Sequence, residues 1–248
     1  MDNNCYDKMI NSSEDLLDLL DTLFREPAPF WNQFYTDRNR GLPFFIEFPD
    51  ENLVSYFHNG FLKEGKVLEL GCGNGRNSVF FATQGCTIDA VDISDVAIAW
   101  GKELALKNNV TINFICKSVH ELALVEDKYD IIYDAGCLHH ITPHRRIGYI
   151  NFIKKSLKPG GYFGLTCFRP GFNDVGGGNC FSDLEVYKMC RLKGGLAYSE
   201  KQLRFMFEDQ LEVVEFRPMQ EMSAKDNLFG KQFLWTALFK KSRHKRRS

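Results

Sequence analysis

The stretch VLELGCGNGRN, residues 67–77, decides the fold of this chain. Its apolar first half predicts a strand, and glycines at positions 71, 73 and 75 then lead into a helical pattern. Glycines let a ligand approach the backbone, and the N-terminus of a helix favours negative charge. A glycine loop by itself is a weak signal, so the interpretation depends on the residues around it.

The spacing of these glycines differs from the dinucleotide pattern G-x-G-x-x-G. That pattern needs a third small residue at position 76, where this chain has Arg76, and Glu69 precedes the first glycine instead. Asp92 ends the next predicted strand, where a carboxylate can accept both hydroxyls of a ribose. The alternative role for Asp92, at the start of the following helix, suits Ser94 better. The pattern therefore favours a ribose-bearing ligand and disfavours a nicotinamide oxidoreductase.

Strands and helices alternate along the rest of this region. We predict strands over 66–71, 87–92, 112–118, 129–135 and 161–168, helices over about 75–84, 95–107 and 143–157, and a turn near 120–125. This order predicts an α/β fold with a mostly parallel sheet and helices on both faces. After a helix at 200–209, the strands 211–216 and 233–240 have only a loop between them, so they should pair antiparallel.

Helix caps support these boundaries. Ser94 should cap the helix at 95–107, and Thr142 followed by Pro143 should start the helix at 143–157. Ser199 and Gln202 form a predicted capping box for the helix at 200–209.

The chain is expected to form one domain over residues 1–248. Residues 1–60 should be a helical and aromatic cover, with helices at 13–24 and 50–58 around an aromatic, Pro-rich and Arg-rich segment at 25–45. The core should span 65–240, and its glycine-rich loop at 170–183 could act as a lid. Residues 241–248 should be a disordered basic tail.

Composition limits the function further. Six of the 31 Lys and Arg residues lie in 240–248, so the rest of the chain has 25 basic and 32 acidic residues and no general nucleic-acid footprint. The eight cysteines are scattered without a CxxC pair, which is typical of reduced thiols in a cytoplasmic protein. The sequence shows neither a membrane-spanning window nor a secretory signal, so no membrane partner is predicted.

These motifs jointly resemble those of class I S-adenosylmethionine-dependent methyltransferases, over about residues 65–240. VLELGCGNG is similar to the family's first motif, Asp92 falls on the ribose carboxylate of the second, and LKPGGYFGL (157–165) resembles the turn into the fifth strand. The resemblance implies S-adenosyl-L-methionine as cofactor and a Rossmann-like seven-strand sheet with an antiparallel last strand. The cofactor-binding residues it implies are Glu69, Gly71, Gly73, Asn74, Gly75, Asp92, Ile93, Ser118, Val119 and Asp134. Many members of the family have Asp where this chain has Ser118.

The segment FWNQFYTDRNRGLPFF (30–45) resembles the region before the core in tellurite-, thiol- and thiopurine-methylating enzymes. In those enzymes a tryptophan-containing cover closes over cofactor and acceptor, which would place Trp31 and Tyr35 at the site. The alternative is that these aromatic residues pack on the sheet edge as core.

The stretch YDIIYDAGCLHHI (129–141) resembles the family's fourth motif and carries the candidate catalytic residues. The loop after Asp134 should border the transferred methyl group, because ligands lie beyond the carboxyl ends of the strands. One of His139 and His140 is predicted to line the acceptor pocket as a base or a positioning group, and the other to satisfy buried backbone groups. Cys137 should be a packing residue. A metal site with His144 is disfavoured, because His144 should lie within the following helix.

The leading hypothesis is therefore an enzyme that transfers a methyl group to a small-molecule acceptor at O, N, S or a metalloid, by in-line displacement. The alternative is an RNA or protein methyltransferase that uses the basic tail, although a nucleic-acid partner is not favoured. Arsenite methylation ranks low because the thiols are not clustered. The sequence leaves the acceptor and the oligomeric state open.

Overall fold

The computed structural model describes residues 9–175, 177–223 and 225–243. Its strands are β1 (Lys66–Leu70), β2 (Thr87–Asp92), β3 (Asn113–Cys116), β4 (Tyr129–Ala135), β5 (Leu157–Phe168), β6 (Leu211–Pro218) and β7 (Leu234–Lys241). Its α-helices are α1 (Ser13–Asp21), α2 (Pro27–Thr36), α3 (Glu51–His58), α4 (Arg76–Thr83), α5 (Asp95–Lys107), α6 (Pro143–Ser156), α7 (Asp183–Met189) and α8 (Glu200–Phe207). Short 3₁₀ turns lie at Val119–Glu121, Leu138–His140 and Asn173–Val175.

The strands form one sheet in the order β3-β2-β1-β4-β5-β7-β6. Strands β1 to β5 are parallel, and β7 runs antiparallel to both β5 and β6. The predicted fold class, a mostly parallel seven-strand sheet with an antiparallel last strand, is confirmed. The strand order reverses between β1 and β4, where Leu70 pairs with Asp134. The loops after these two strands therefore start side by side, at the point where such sheets bind ligands.

Successive side chains of a strand point to opposite faces of the sheet. Helices pack against both faces, so both are buried. On β1, Val67 packs in a cluster with Leu53 of α3 and Phe81 of α4. Its neighbour Leu68 packs on the opposite face in a cluster with Tyr149 of α6 and residues of α8. The prediction of helices on both faces is thus confirmed.

Two of the three predicted caps form. The Ser94 hydroxyl accepts from the Ala97 amide at 3.1 Å, and Ser199 and Gln202 make a reciprocal capping box. Thr142 makes no side-chain cap, and its hydroxyl lies 3.3 Å from Nε2 of His144 instead. Pro143 can start α6 without this cap, because its φ is fixed near the helical value and it has no N–H to satisfy.

The N-terminal region contains a helix that the sequence pattern did not predict. Helix α2 lies within the 25–45 segment and begins at Pro27, whose ring presets the first helical φ. Helix α1 ends at Asp21, earlier than the predicted residue 24, and contacts α6 mainly through charge. The Arg145 guanidinium lies within 2.7 Å of the carboxylates of Glu14, Asp18 and Asp21.

The C-terminal region also departs from the prediction. Helix α7 starts with a capping box between Ser182 and Glu185, although the sequence was interpreted as loop up to 183 and no helix was predicted there. Lys241, predicted to belong to the tail, pairs in β7 and donates to Asp127 at 2.9 Å, so the strand extends further. Residues 244–248 of the predicted tail lie outside the described residues. Among the helices of the described ranges, none has the length and apolarity needed to span a membrane.

Candidate active site

The glycine loop after β1 is closely packed on two sides. A Cβ placed on Gly71 would come within 2.9 Å of the Cβ of Cys137, in the loop after β4. A Cβ on Gly73 would come within 2.7 Å of the Tyr35 hydroxyl, in the cover. Both glycines have positive φ, 67° and 54°, which side chains rarely adopt. The two glycines therefore let Cys137 and Tyr35 pack closely against the backbone of this loop. Close approach of a ligand to the same backbone stays a prediction.

Asp92 lies at the end of β2, facing this loop. Its two carboxylate oxygens accept from the amides of Gly73 and Ser94, each at 2.8 Å. The residue is 7% exposed, and burial raises the pKa of its carboxyl while the amides oppose that rise. Each oxygen keeps acceptor capacity, because a carboxylate oxygen has two lone pairs. The arrangement can therefore receive hydroxyl donors from a ligand over the loop.

Glu69 lies within the protein below the loop. It is 1% exposed and accepts a short hydrogen bond from the Ser78 hydroxyl on α4. Burial raises the pKa of Glu69 to about 8, so the carboxyl is largely protonated at neutral pH. These contacts tie β1 to α4. Its predicted contact with the cofactor stays a prediction.

Asp134 organises the turn that carries the histidines. Its carboxylate accepts from the amides of Gly136, Cys137 and Leu138 at 2.6–3.0 Å and from the Tyr149 hydroxyl at 2.8 Å. Four donors occupy the acceptor capacity of the carboxylate. Burial still raises the pKa of Asp134 to about 6. The structure therefore supports a positioning role for this predicted cofactor residue.

His139 is a packed residue. It is 4% exposed, and its ring stacks on Phe168 with centroids 3.8 Å apart. The Phe168 amide donates to its Nδ1 at 3.3 Å, and its carbonyl accepts from the Leu196 amide at 2.8 Å. Burial holds the pKa of His139 well below its usual value, so the imidazole is neutral. Of the two histidines, this one satisfies buried backbone groups.

His140 faces the cover. Its ring meets Trp31 of α2 edge to face, with centroids 4.8 Å apart, and makes no hydrogen bond to the residues that the structure describes. Burial and the charge of Arg25 lower the pKa of His140 to about 4. The imidazole is thus neutral at pH 7, with its nitrogens available to a ligand. Trp31 and His140 were predicted at the site separately, and the fold brings them into contact.

Cys137 and the region around it bear on two other predicted roles. Burial and the nearby carboxylates of Asp134 and Asp92 raise the pKa of the Cys137 thiol well above its usual value, which supports a packing role. His144 bonds to the Tyr187 hydroxyl at 2.9 Å and to Asp21 at 2.7 Å, on the outer side of α6. Within the described ranges there is no group of three or more potential ligands that could hold a metal ion.

Three further residues that the resemblance implies for the cofactor, Ile93, Ser118 and Val119, follow the strands β2 and β3. Ser118 caps the turn at Val119–Glu121, so its hydroxyl accepts from the His120 amide and its own amide donates to Glu121. Val119 packs on the core, and the carbonyl of Ile93 accepts from the Cys116 thiol. These residues lie at the ends of β2 and β3, as predicted, with part of their polar capacity already used.

Asn74 and Arg76 connect the glycine loop to the cover. The Asn74 amide donates to the carbonyl of Ile46 at 3.0 Å, and Arg76 donates to the carbonyl of Phe48 at 3.1 Å. Arg76 also forms a buried ion pair with Asp50 at 2.6 Å. The residue that breaks the dinucleotide pattern therefore holds the end of the cover. In the sequence, Arg76 disfavoured a nicotinamide cofactor, but no pattern indicated that Asp50 would be its ion-pair partner.

A family model described as methyltransferase domain matches residues 67–161. The ubiquinone biosynthesis O-methyltransferase of Coxiella burnetii is 32% identical over 100 residues, 40% of this chain and 42% of that protein. The ribosomal protein L11 methyltransferase of Campylobacter concisus is 30% identical over 137 residues, 55% of this chain and 47% of that protein. Each alignment thus spans less than half of the relative's length.

The fold is shared with a solved structure of the 1,6-didemethyltoxoflavin-N1-methyltransferase of Burkholderia thailandensis. The two chains superpose with a TM-score of 0.60 at 20% identity, over 94% of this chain and 92% of that one. At this identity the likeness establishes the fold.

Proposed function

We propose that this chain transfers the methyl group of S-adenosyl-L-methionine to a small-molecule acceptor, because residues 67–161 match a family model described as methyltransferase domain. The Burkholderia enzyme has 1,6-didemethyltoxoflavin and S-adenosylhomocysteine bound in its structure, which supports a small acceptor here. The acceptor would lie between the cover and the loop after β4.

The observation that most directly supports this proposal is the position of Asp92 against the glycine loop. Its buried carboxylate bonds to the Gly73 amide at 2.8 Å, at the edge where the strand order reverses. A side chain at Gly71 or Gly73 would collide with Cys137 or Tyr35 and so displace the loop that the ligand approaches. These residues fit a nucleoside with two ribose hydroxyls. When bound, S-adenosyl-L-methionine supplies an electrophilic methyl group at its sulfonium.

The protein's part in the reaction is mainly alignment. With its pKa lowered to about 4, His140 is a poor base at neutral pH and a good neutral hydrogen-bonding group. Trp31 packs against the His140 ring from the cover side, with ring centroids 4.8 Å apart. We therefore assign His140 to positioning the acceptor, which accelerates a bimolecular displacement by fixing its geometry.

A second candidate, methylation of a protein or RNA, is favoured by the similarity to the ribosomal protein L11 methyltransferase. The basic residues at the C-terminus are the feature that would contact such a substrate. Truncation after Arg243 removes three of the six Lys and Arg residues in 240–248 and keeps β7, which ends at Lys241. Loss of activity in that variant would favour the macromolecular acceptor.

The proposal is tested by calorimetry and by activity. The full chain should bind S-adenosylhomocysteine and S-adenosylmethionine but not NAD. A screen of acceptor classes with methyl-labelled cofactor should then yield a small labelled product. Binding of NAD with no binding of S-adenosylhomocysteine would contradict the proposal.

A further inference from the structure

A cavity of about 420 Å³ opens between the cover and the loop that joins β6 to β7. Three separate parts of the chain line it: Pro43 of the cover, Phe172 of the glycine-rich loop, and Glu221, Lys231, Gln232 and Phe233 of the loop between β6 and β7. Sites for small molecules commonly have volumes of about 300–1,000 Å³. The loop between β6 and β7 was given no role from the sequence, yet it forms most of this wall.

Aromatic contacts connect the cavity wall to the two histidines. Phe233 lies 6.0 Å from Phe168, measured between ring centroids. Phe168 in turn lies 3.8 Å from His139 and 6.3 Å from His140. One phenyl ring thus separates the cavity wall from the imidazole that we assign to acceptor positioning.

Arg169 contacts two residues that line the cavity, Phe172 and Gln232, and brings a positive charge next to the cavity wall. Its guanidinium lies over the rings of Phe172 and Trp235 at 4.9 and 4.7 Å, and it donates to the carbonyl of Gln232 at 3.2 Å. Its Nε is buried without a hydrogen-bond partner, and Arg169 has no carboxylate partner among the residues that the structure describes. An arginine stays protonated even when it is partly buried. Because a buried charge is costly without a partner, Arg169 favours the binding of an anion from outside the chain.

The second cation at the cavity is already paired. The Lys231 ammonium lies 2.5 Å from the carboxylate of Glu221, and both are partly exposed. Together with Arg169, the three charged side chains carry a net charge of about plus one at neutral pH. A ligand with a single negative charge would balance them.

We infer that the cavity holds the part of the acceptor remote from the methyl group, and that the acceptor is an aromatic anion. Its ring lies against Phe172 and Phe233, and its negative group is balanced by Arg169 and Lys231. The inference rests on the proposed function, because only methyl transfer makes the bound ligand an acceptor. The binding of an aromatic anion can nevertheless be measured without any reaction.

A matched pair of fluorescent probes tests the class of ligand. The anion 1-anilinonaphthalene-8-sulfonate and the neutral N-phenyl-1-naphthylamine share one ring frame and differ by the sulfonate. The full chain should bind the anion saturably at one site, about ten-fold or more tightly than the neutral probe, as loss of one charge-assisted contact predicts. Equal affinity for both probes would overturn the inference.

Three variants test where the anionic probe binds and whether charge at the cavity sets its affinity. Arg169→Gln should weaken the anionic probe about ten-fold and leave the neutral one unchanged, whereas Arg191→Gln, at an exposed position, should change neither. Glu221→Gln should strengthen anion binding, because it frees Lys231, and this exposed change should not disturb folding. A loss in Glu221→Gln, or equal losses in Arg169→Gln and Arg191→Gln, would place the probe elsewhere.

Calorimetry with S-adenosylhomocysteine separates this inference from the proposed function. Normal cofactor binding with no preference for the anionic probe would contradict the inference alone. Failure to bind S-adenosylhomocysteine with the full anion preference intact would contradict the proposed function alone.

Discussion

The hydroxyl of Tyr35 lies over Gly73, so close that a Cβ on that glycine would come within 2.7 Å of it. Burial and the nearby Asp92 carboxylate raise the pKa of Tyr35 well above its usual value, so the hydroxyl keeps its proton. The cover thus contacts the backbone that a ligand must approach. A ligand that approaches Gly73 must lie next to Tyr35 of α2, so ligand binding should affect the position of α2.

The first prediction concerns this coupling. Helix α2 has no fully buried side chain, so a ligand beneath it should add contacts that α2 lacks. We expect slower hydrogen exchange of amides 27–36, and of the loop at 170–182, when S-adenosylhomocysteine is present. Amides of α8 provide the internal control, because that helix packs on the outer strand β6. Unchanged exchange in both segments would show that they are ordinary surface.

The second prediction concerns Asp92. Asp92→Ala should weaken S-adenosylhomocysteine binding by about 10- to 100-fold, because a hydrogen bond to a charged group contributes ~1.5–3 kcal/mol. Isothermal titration calorimetry measures this directly. Asp95→Ala, at an exposed position of the following helix, is the matched control and should bind normally. Unchanged affinity in Asp92→Ala would remove the carboxylate from the ribose role.

The third prediction separates positioning from proton transfer at His140. His140→Ala should lower kcat by about ten-fold or more, whereas His140→Gln should keep much of the activity, because it retains a hydrogen-bonding group. With a pKa of about 4, His140 should also give the rate no break between pH 5.5 and 8. A glutamine variant as inactive as the alanine variant, with a rate that rises through pH 6–7, would identify a general base instead.

The fourth prediction assigns His139 to stability. His139→Ala removes the ring that stacks on Phe168 and should lower the free energy of unfolding by about 2–4 kcal/mol. His139→Phe keeps the stacking and loses only the acceptor for the Phe168 amide, so it should cost less, about 1 kcal/mol. Urea denaturation of both variants provides the measurement. An alanine variant with normal stability and lost turnover would give His139 a direct catalytic role.

The fifth prediction uses the raised pKa of Glu69. The unfolded chain releases this proton near pH 4.5, whereas the folded chain keeps it up to about pH 8. Between these values the folded state binds more protons, so the free energy of unfolding falls as pH rises. Glu69→Gln should remove this fall, which amounts to a few kcal/mol at about 1.36 kcal/mol per pKa unit.

The measurement compares urea denaturation of the wild-type and Glu69→Gln proteins at pH 5 and pH 8.5. The stability difference between them should move in favour of the variant at the higher pH. A difference that is the same at both pH values would mean that Glu69 titrates normally.

Local chemistry explains which features the sequence predicted well. The strand at 87–92, the helix at 95–107 and the strand at 129–135 have the predicted bounds, because apolar periodicity and the cap at Ser94 act within a few residues. The positions of the glycine loop and of Asp92 at strand ends were predicted from the same local patterns. The resemblance to a methyltransferase domain rested on these short motifs.

Features that depend on contacts between distant segments could not be predicted in this way. The sequence left His139 and His140 as interchangeable candidates, and the fold separates them by placing Phe168 against one and Trp31 against the other. Helix α2 arises in a segment without periodicity, and Arg76 finds its buried partner Asp50 only after folding.

The sequence by itself therefore determined the alternation of strands and helices over 66–168, the glycine loop and the carboxylate at its edge. Only the tertiary structure decided which histidine faces the cover, and that Arg169 lies next to a cavity wall with no carboxylate partner among the described residues. The physical reason is that periodicity and capping depend on neighbours along the chain. Burial, desolvation and charge balance depend instead on residues that only folding brings together.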